Sequence, residues 1–118
     1  MALPKILLVD DDPAVRSSLK FSLELEGFDV ETFESAEQIA EQGGFASAEC
    51  LIVDYRLPGM DGLALLSLLR ARGISLPAVM ITSNPTRSIR KRADEAGVSL
   101  IEKPLLSDAL STVVRLLT

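Results

Sequence analysis

The chain contains no histidine among its 118 residues. This absence excludes a catalytic site of the Ser-His-Asp or Cys-His type, because both need an imidazole as the general base. It also excludes a zinc site built on histidine ligands. The chain cannot supply a phosphohistidine of its own, so any chemistry here must depend on other side chains.

The sequence has one cysteine, Cys50, and therefore no disulfide within the chain. A framework of disulfides is typical of small secreted domains, whereas a single thiol suits the cytosol. Cys50 stands beside the apolar run Leu51 to Val53. We therefore expect it to be a small buried hydrophobe.

Long apolar runs and a basic surface are also missing. No apolar stretch reaches the roughly 18–20 residues that a membrane span needs. Residues 1–9 hold one lysine and a short apolar run and lead into three aspartates, which is unlike a signal peptide. The net charge of -5 argues against a nucleic-acid surface. No glycine-rich phosphate loop follows a predicted strand, which argues against nucleotide binding.

What is present predicts one α/β domain over residues 1–118, because strand and helix patterns alternate five times without a linker or repeat. Strands are predicted at 5–9, 28–33, 51–53, 78–81 and 98–101, and helices at 13–26, from Ser35 to about 43, 61–72, 86–96 and after Ser107. Asp12 and Ser35 are predicted N-caps, and Gly27 is predicted to end the first helix. The near-continuous apolar strands predict a parallel sheet covered on both faces, with ligands at the carboxyl ends of its strands.

Chemically useful residues stand where four of these strands end. Asp10 and Asp11 follow the first strand, and because Asp12 is enough to cap the helix, two adjacent carboxylates remain that repel each other unless a cation neutralises them. Carboxylates with water suit Mg2+. Asp54 ends the third strand and is interpreted as a nucleophile that accepts a phosphoryl group, although a turn aspartate is the plainer interpretation. Lys103 and Thr82 would then neutralise and contact the phosphoryl oxygens, although each alone is an ordinary surface or strand-end residue.

With these residues in this order, the chain resembles the receiver domain of a two-component response regulator. The resemblance covers essentially the whole chain and depends on these positions: Val9-Asp10-Asp11, Asp54, Leu57-Pro58 with Gly62, Thr82 and Lys103-Pro104. Two stretches, Asp54 to Gly62 and Ile101 to Pro104, are similar to the branch of nitrogen-fixation and LuxR-type regulators.

The resemblance implies a flavodoxin-like (βα)5 three-layer sandwich with a five-stranded parallel sheet of order 2-1-3-4-5. It implies that Asp54 is the phosphoacceptor, and that Mg2+ is held by Asp10, Asp11, Asp54 and the backbone carbonyl of Arg56, with Asp11 the more direct ligand. Thr82 and Lys103 would contact the phosphoryl group. The Lys103-Pro104 peptide bond is expected to be cis.

The resemblance further implies a cytoplasmic signalling switch whose partner is a sensor histidine kinase. It implies no enzyme turnover beyond the chain's own phosphorylation and slow dephosphorylation. The net charge of -5 and the lack of a membrane-length apolar run predict no binding to nucleic acid or membrane. The output face would lie on the fourth helix, fifth strand and fifth helix, where a homodimer is one option. Four cations of the fourth helix form either a solvated face or a surface that steers an acidic partner or pairs with a second copy of the chain: Arg87, Arg90, Lys91 and Arg92. A stand-alone regulator and a receiver within a longer protein both fit the sequence.

Two departures from the family pattern keep an alternative open. Leu100 stands where the family usually carries the aromatic residue that changes rotamer on activation, and Pro85 is expected to stiffen the loop after Thr82. The alternative is a phosphorylation-independent interaction module on the same fold. An aspartyl-phosphate hydrolase is disfavoured because Arg56 stands where that enzyme type usually has a second aspartate.

Overall fold

The computed structural model describes residues 3–103 and 109–118. Its strands are β1 (Lys5–Val9), β2 (Asp29–Phe33), β3 (Cys50–Asp54), β4 (Ala78–Thr82) and β5 (Ser99–Glu102). Its helices are α1 (Pro13–Leu25), α2 (Ala36–Gln42), α3 (Gly62–Ala71), α4 (Arg87–Glu95) and α5 (Ala109–Leu117). Within those ranges no helix combines the length and the apolar character needed to cross a bilayer.

The five strands form one parallel sheet in the order β2-β1-β3-β4-β5. The strand order reverses at β1, which pairs with β2 on one side and with β3 on the other. In a sheet of this kind the crevice beyond the carboxyl ends at that reversal is the usual ligand site. The predicted fold class and strand order are confirmed.

Successive residues of each strand alternate between two cores, because side chains along a strand point to opposite faces of a sheet. On one face, Leu7, Val9 and Met80 pack with residues of α2, α3 and α4. On the other face, Ile6, Leu8 and Ile81 pack with residues of α1 and α5, while Val15, Val113 and Leu117 contact that cluster from its margin. The sheet is therefore the middle of three layers.

The leucine-rich helix α3 belongs to the first of these cores. Leu63, Leu65, Leu66 and Leu69 are all buried, and Leu65 is fully inaccessible to solvent. Packing against the sheet thus explains why this helix is rich in leucine.

The ends of α1 form as predicted from the sequence. A carboxylate oxygen of Asp12 accepts hydrogen bonds from the backbone N–H groups of Ala14 at 2.9 Å and Val15 at 3.4 Å. Pro13 occupies the first helical position, where its missing N–H is not needed. Gly27 follows the helix with φ +97°, a left-handed conformation that glycine adopts without steric cost.

Several boundaries differ from the sequence prediction. Strands β3, β4 and β5 include their polar ends, because the ladder continues past the apolar residues: the N–H of Tyr55 donates to Ile81 O and that of Lys103 to Thr82 O. A single turn of 3-10 helix at Phe45–Ser47 was not predicted, since its short sequence lacks a helical period. The predicted cap at Ser107 and the predicted cis bond before Pro104 lie outside the described residues.

Cys50 is fully buried at the start of β3, and burial raises the pKa of its thiol to about 11. Because the thiolate is the reactive form, we expect this thiol to be almost inert in the native protein at neutral pH. A disulfide reagent such as DTNB should label it slowly in buffer and rapidly in denaturing urea. Equal rates in the two solvents would contradict the buried placement.

Candidate functional site

Four strand ends bring polar side chains to one edge of the sheet. The Nζ of Lys103, just after β5, lies 3.2 Å from Oδ2 of Asp10 and 3.2 Å from Oδ2 of Asp54. Asp10 follows β1, and Asp54 is the last residue of β3. These three residues are far apart in sequence, so their contact confirms that the strand ends converge on one site.

Asp11 completes an acidic cluster with Asp10 and Asp54. One carboxylate oxygen from each residue lies within 4.8 Å of the others. Asp10 and Asp54 are buried, whereas Asp11 is exposed and opens the cluster to solvent. Three carboxylates face one ammonium, which leaves a surplus of two negative charges if all are ionised. A set of oxygen donors with a solvent-facing side fits a hard divalent cation that keeps several waters, as Mg2+ does.

Asp10 is held at every polar atom. Its N–H donates to Phe33 O at 3.2 Å and its carbonyl accepts from the guanidinium of Arg16 at 2.7 Å. Its Oδ1 accepts from the N–H of Asp12 at 2.9 Å, and its Oδ2 faces Lys103. A fully buried carboxylate needs such partners, since an unpaired buried charge is costly. The orientation of Asp10 is therefore fixed by four residues, which come from β2, from the start of α1 and from the end of β5.

Asp54 is closely surrounded by the loop that follows it and by the start of α3. Its Oδ1 accepts a hydrogen bond of 3.2 Å from the N–H of Arg56, while Gly62 at the start of α3 packs against its backbone. A Cβ added at Gly62 would lie 2.6 Å from Asp54 O. Burial, and then the negative charge of Asp10, raise the pKa of Asp54 above its ordinary value, although Lys103 opposes the shift.

The electrostatics of Lys103 complement those of the two aspartates. Burial alone would lower the pKa of this ammonium, but the carboxylates of Asp54 and Asp10 outweigh burial and raise the pKa. The lysine is thus fully charged at neutral pH and stays between the two carboxylates.

Thr82 is completely buried at the end of β4, beside the acidic cluster in strand order. Its hydroxyl donates to its own neighbour, the carbonyl of Ser83, at 3.2 Å. Leu100, two residues before the end of β5, is half-buried against the core beneath α4. The predicted contact of Thr82 with a phosphoryl group stays a prediction, as do the metal-binding roles of Asp11 and of the Arg56 carbonyl.

Most cations of α4 have partners within the chain. Arg90 forms an ion pair with Glu102 at 3.0 Å, and Lys91 lies 3.9 Å from Glu95. These contacts favour the interpretation of this helix as a solvated face with internal ion pairs, and they leave less free charge for an acidic partner.

A contact that the sequence did not predict ties α4 to the loop after the acidic cluster. Arg92 donates to the hydroxyl of Tyr55 at 3.0 Å and lies 3.7 Å from a carboxylate oxygen of Asp61, the N-cap of α3. Tyr55 follows Asp54 directly. The only sequence signal was the tyrosine itself, since nothing in the spacing of residues 55 and 92 shows that they meet.

Comparison with known proteins places this geometry in a family. The sequence model of the family described as response regulator receiver domain matches residues 6–115. Transcriptional regulatory protein FixJ of Bradyrhizobium diazoefficiens is 33% identical over 110 residues, which cover 92% of this chain and 54% of FixJ. C4-dicarboxylate transport transcriptional regulatory protein DctD of Pseudomonas aeruginosa is 35% identical over an alignment 118 positions long, which covers 94% of this chain and 24% of DctD.

These identities do not separate the FixJ branch from the DctD branch. The chain spans about half the length of FixJ and a quarter of DctD. Among solved structures, the chemotaxis protein CheY4 of Vibrio cholerae superimposes with a TM-score of 0.89, covering 99% of this chain and all of CheY4. At 22% identity that likeness shows the fold alone. The match over residues 6–115, together with the fold, shows that this chain belongs to the receiver-domain family of two-component response regulators.

Proposed function

We propose that this chain is a phosphorylation-dependent signalling switch in which Asp54 accepts a phosphoryl group from a sensor histidine kinase. The observation that carries the proposal is the placement of the Lys103 ammonium 3.2 Å from both Asp54 and Asp10, with Asp11 alongside. Asp10, Asp11 and Asp54, with the carbonyl of Arg56, would hold Mg2+. A family member without this function would have no need to collect three carboxylates at one edge.

The proposed chemical step is a transfer from nitrogen to oxygen. A carboxylate oxygen of Asp54 forms a bond to phosphorus as the phosphorus–nitrogen bond of the kinase phosphohistidine breaks. The electron pair of that bond stays on the imidazole, which takes up a proton, and Asp54 becomes an acyl phosphate. The absence of histidine from this chain requires the donor to be another protein or a small phosphodonor.

Charge decides whether Asp54 can react, because its own oxygens repel those of the phosphoryl group. Bound Mg2+ would offset the negative charge on the phosphoryl oxygens. Lys103 already lies within ion-pair distance of Asp54 and needs no large movement to contact an added phosphoryl oxygen. The N–H of Arg56 holds the other oxygen of Asp54 and so restricts the rotation of the carboxylate.

Thr82 provides the proposed link from the phosphoryl group to the output face. Its hydroxyl bond to Ser83 O is long, at 3.2 Å, so exchanging that acceptor for a phosphoryl oxygen costs little. The response would pass to α4, β5 and α5 as a shift between two pre-existing arrangements. Leu100 offers no ring or hydroxyl to that face, and this one observation favours the alternative of an interaction module that needs no phosphate.

The proposed partner is a histidine kinase, and the proposed compartment is the cytoplasm, in keeping with the single reduced thiol of Cys50. A homodimer through α4, β5 and α5 is the proposed response to phosphorylation. Sizing the protein with and without beryllofluoride, a phosphoryl mimic, tests that response.

Intact-mass measurement tests the proposed phosphorylation. We expect the protein incubated with acetyl phosphate and Mg2+ to gain one phosphoryl group, and Asp54→Asn to gain none, because the amide is not a nucleophile of this kind. Asp29→Asn is the matched control, since Asp29 is exposed at the opposite end of the sheet and undergoes the same chemical change. It should be phosphorylated like the wild type.

The other outcomes separate the alternatives. The absence of any adduct on the wild type would favour the phosphorylation-independent module. Release of many equivalents of phosphate would indicate a hydrolase. Chelation of the metal should abolish the adduct, and an adduct that forms equally well in EDTA would contradict the cation site.

A further inference from the structure

Arg16 makes a contact that the proposed mechanism does not use. It lies in the first turn of α1, and its Nη1 donates to the backbone carbonyl of Asp10 at 2.7 Å, the shortest of the four hydrogen bonds to Asp10. Among the described residues, its guanidinium forms no ion pair with a carboxylate. The contact of this positive side chain is therefore with one main-chain oxygen next to the acidic cluster.

The position of this cation is unusual for its helix. The first turn of a helix carries partial positive charge, so a cation there is disfavoured and an acidic residue is preferred. Helix propensity and solubility do not require arginine at this position. The contact with Asp10 O gives a physical reason for the residue, because it ties the N-terminal turn of α1 to the end of β1.

The contact acts on Asp10, the fully buried member of the acidic cluster. Asp10 has no exposed surface, and its carboxylate is held by the N–H of Asp12 and by Lys103. A cation bound in the cluster would compete with Lys103 for the carboxylate of Asp10. The backbone anchors at Phe33 and Arg16 do not take part in that competition, so they keep the residue in place while the carboxylate changes partners.

We propose that Arg16 is a positioning residue for the divalent-cation site, and that it acts by fixing the backbone of Asp10. This inference rests on the proposed function, because it assumes that the acidic cluster binds Mg2+. Removing a group that orients a metal ligand without binding the metal itself typically weakens metal binding by about 10- to 100-fold. We expect about a tenfold effect here, since one of two backbone anchors is lost.

A role through charge and a role through positioning predict opposite changes in Mg2+ affinity when the arginine is replaced, so the two roles can be distinguished. If the guanidinium acts only as a nearby positive charge, its removal lowers repulsion and Mg2+ binds more tightly. If it positions Asp10, its removal weakens Mg2+ binding. Arg16→Met removes both the charge and the donor, whereas Arg16→Lys keeps the charge and a donor.

The experiment measures Mg2+ affinity by calorimetry and by the fluorescence of Tyr55, the only tyrosine in a chain without tryptophan. We expect Arg16→Met to bind Mg2+ about tenfold more weakly than the wild type and Arg16→Lys to lie between them. Arg72→Met is the matched control, because Arg72 also donates to a backbone carbonyl, Ala40 O at 3.3 Å, but at the far end of α3. Its Mg2+ affinity should equal that of the wild type.

Each outcome decides between the explanations. Equal or tighter Mg2+ binding by Arg16→Met would overturn the positioning role. Equal weakening in Arg72→Met would assign the effect to general loosening of the fold. Thermal melts without Mg2+ check folding, and Arg16→Gln repeats the comparison if the methionine variant does not fold. If the wild type itself does not bind Mg2+, that result contradicts the proposed function as well as this inference.

Discussion

Lys103→Met is expected to lower the free energy of unfolding by about 3 kcal/mol in the absence of Mg2+. Lys103 is the cation between Asp10 and Asp54, whose side chains are 0% and 7% exposed. Methionine fills similar volume but leaves two close carboxylates without a counterion. Removing one partner of a buried ion pair is costly for this reason. A loss of that size is a large share of the roughly 5–15 kcal/mol that stabilises a typical domain.

Denaturant unfolding of Lys103→Met beside Lys91→Met measures this effect. Lys91 makes one long contact at the surface, with its side chain 76% exposed, so its replacement should change stability by less than about 0.5 kcal/mol. Saturating Mg2+ should restore much of the stability of Lys103→Met, because the ion replaces the lost positive charge. If Lys103→Met is as stable as Lys91→Met, the carboxylates are not close enough to need a cation.

The stability difference between the wild type and Lys103→Met should depend on pH in a direction that follows from the pKa shifts. Carboxyl groups whose folded-state pKa is raised destabilise the fold at pH values above that pKa. The penalty shrinks as the pH falls below the folded-state pKa and is absent below the ordinary pKa of the unfolded chain. The pKa of Asp54 is raised by burial and by Asp10, and loss of Lys103 raises it further. The stability deficit of Lys103→Met should therefore shrink on acidification. It should also shrink at alkaline pH once wild-type Lys103 loses its proton, a loss that its raised pKa delays beyond the ordinary value of 10.5.

Gly62→Ala is expected to destabilise the protein by about 2 kcal/mol, although alanine normally favours a helix. The new Cβ would lie 2.6 Å from Asp54 O and 3.1 Å from Tyr55 Cα, and both atoms are backbone. They cannot turn away as the end of a side chain could, so α3 or the end of β3 must shift. Because that shift moves Asp54 itself, the variant should also be phosphorylated more slowly by acetyl phosphate.

Gly44→Ala provides the matched comparison for thermal and denaturant unfolding. A Cβ there meets Ser47 Oγ at 3.6 Å and Lys5 Nζ at 3.7 Å, which are ordinary contacts, and φ is -82°. We expect a change within about 0.5 kcal/mol and normal phosphorylation. If both alanine variants behave alike, the close approach of Gly62 to Asp54 is not a constraint on this fold.

The fold was predictable because its signals are local. Each signal depends only on residues that are close together in the sequence. These signals are the apolar runs with the period of a strand or helix, the caps at Asp12 and Ser35, and the helix end at Gly27. The convergence of Asp10, Asp54 and Lys103 followed from one further rule, that the carboxyl ends of parallel strands meet at one edge.

The rest of the site was not predictable, because it depends on distances between distant residues. The sequence shows Arg92 as one of several cations on α4 and cannot show that its guanidinium reaches Tyr55 and Asp61. Gly62 was part of the family pattern, but its reason appears only in the contact with Asp54 O. The sequence shows Arg16 as one polar residue of α1 and cannot show that its guanidinium reaches Asp10 O.

Mapping the modified residue shows whether Asp54 is the phosphoacceptor. The protein is phosphorylated with acetyl phosphate and Mg2+, the acyl phosphate is reduced with borohydride, and the peptides are sequenced by tandem mass spectrometry. We expect Asp54 alone to be converted to homoserine, while Asp10, Asp11 and Asp12 remain aspartate. Conversion at any of those three residues, or at none of the four, would contradict that expectation.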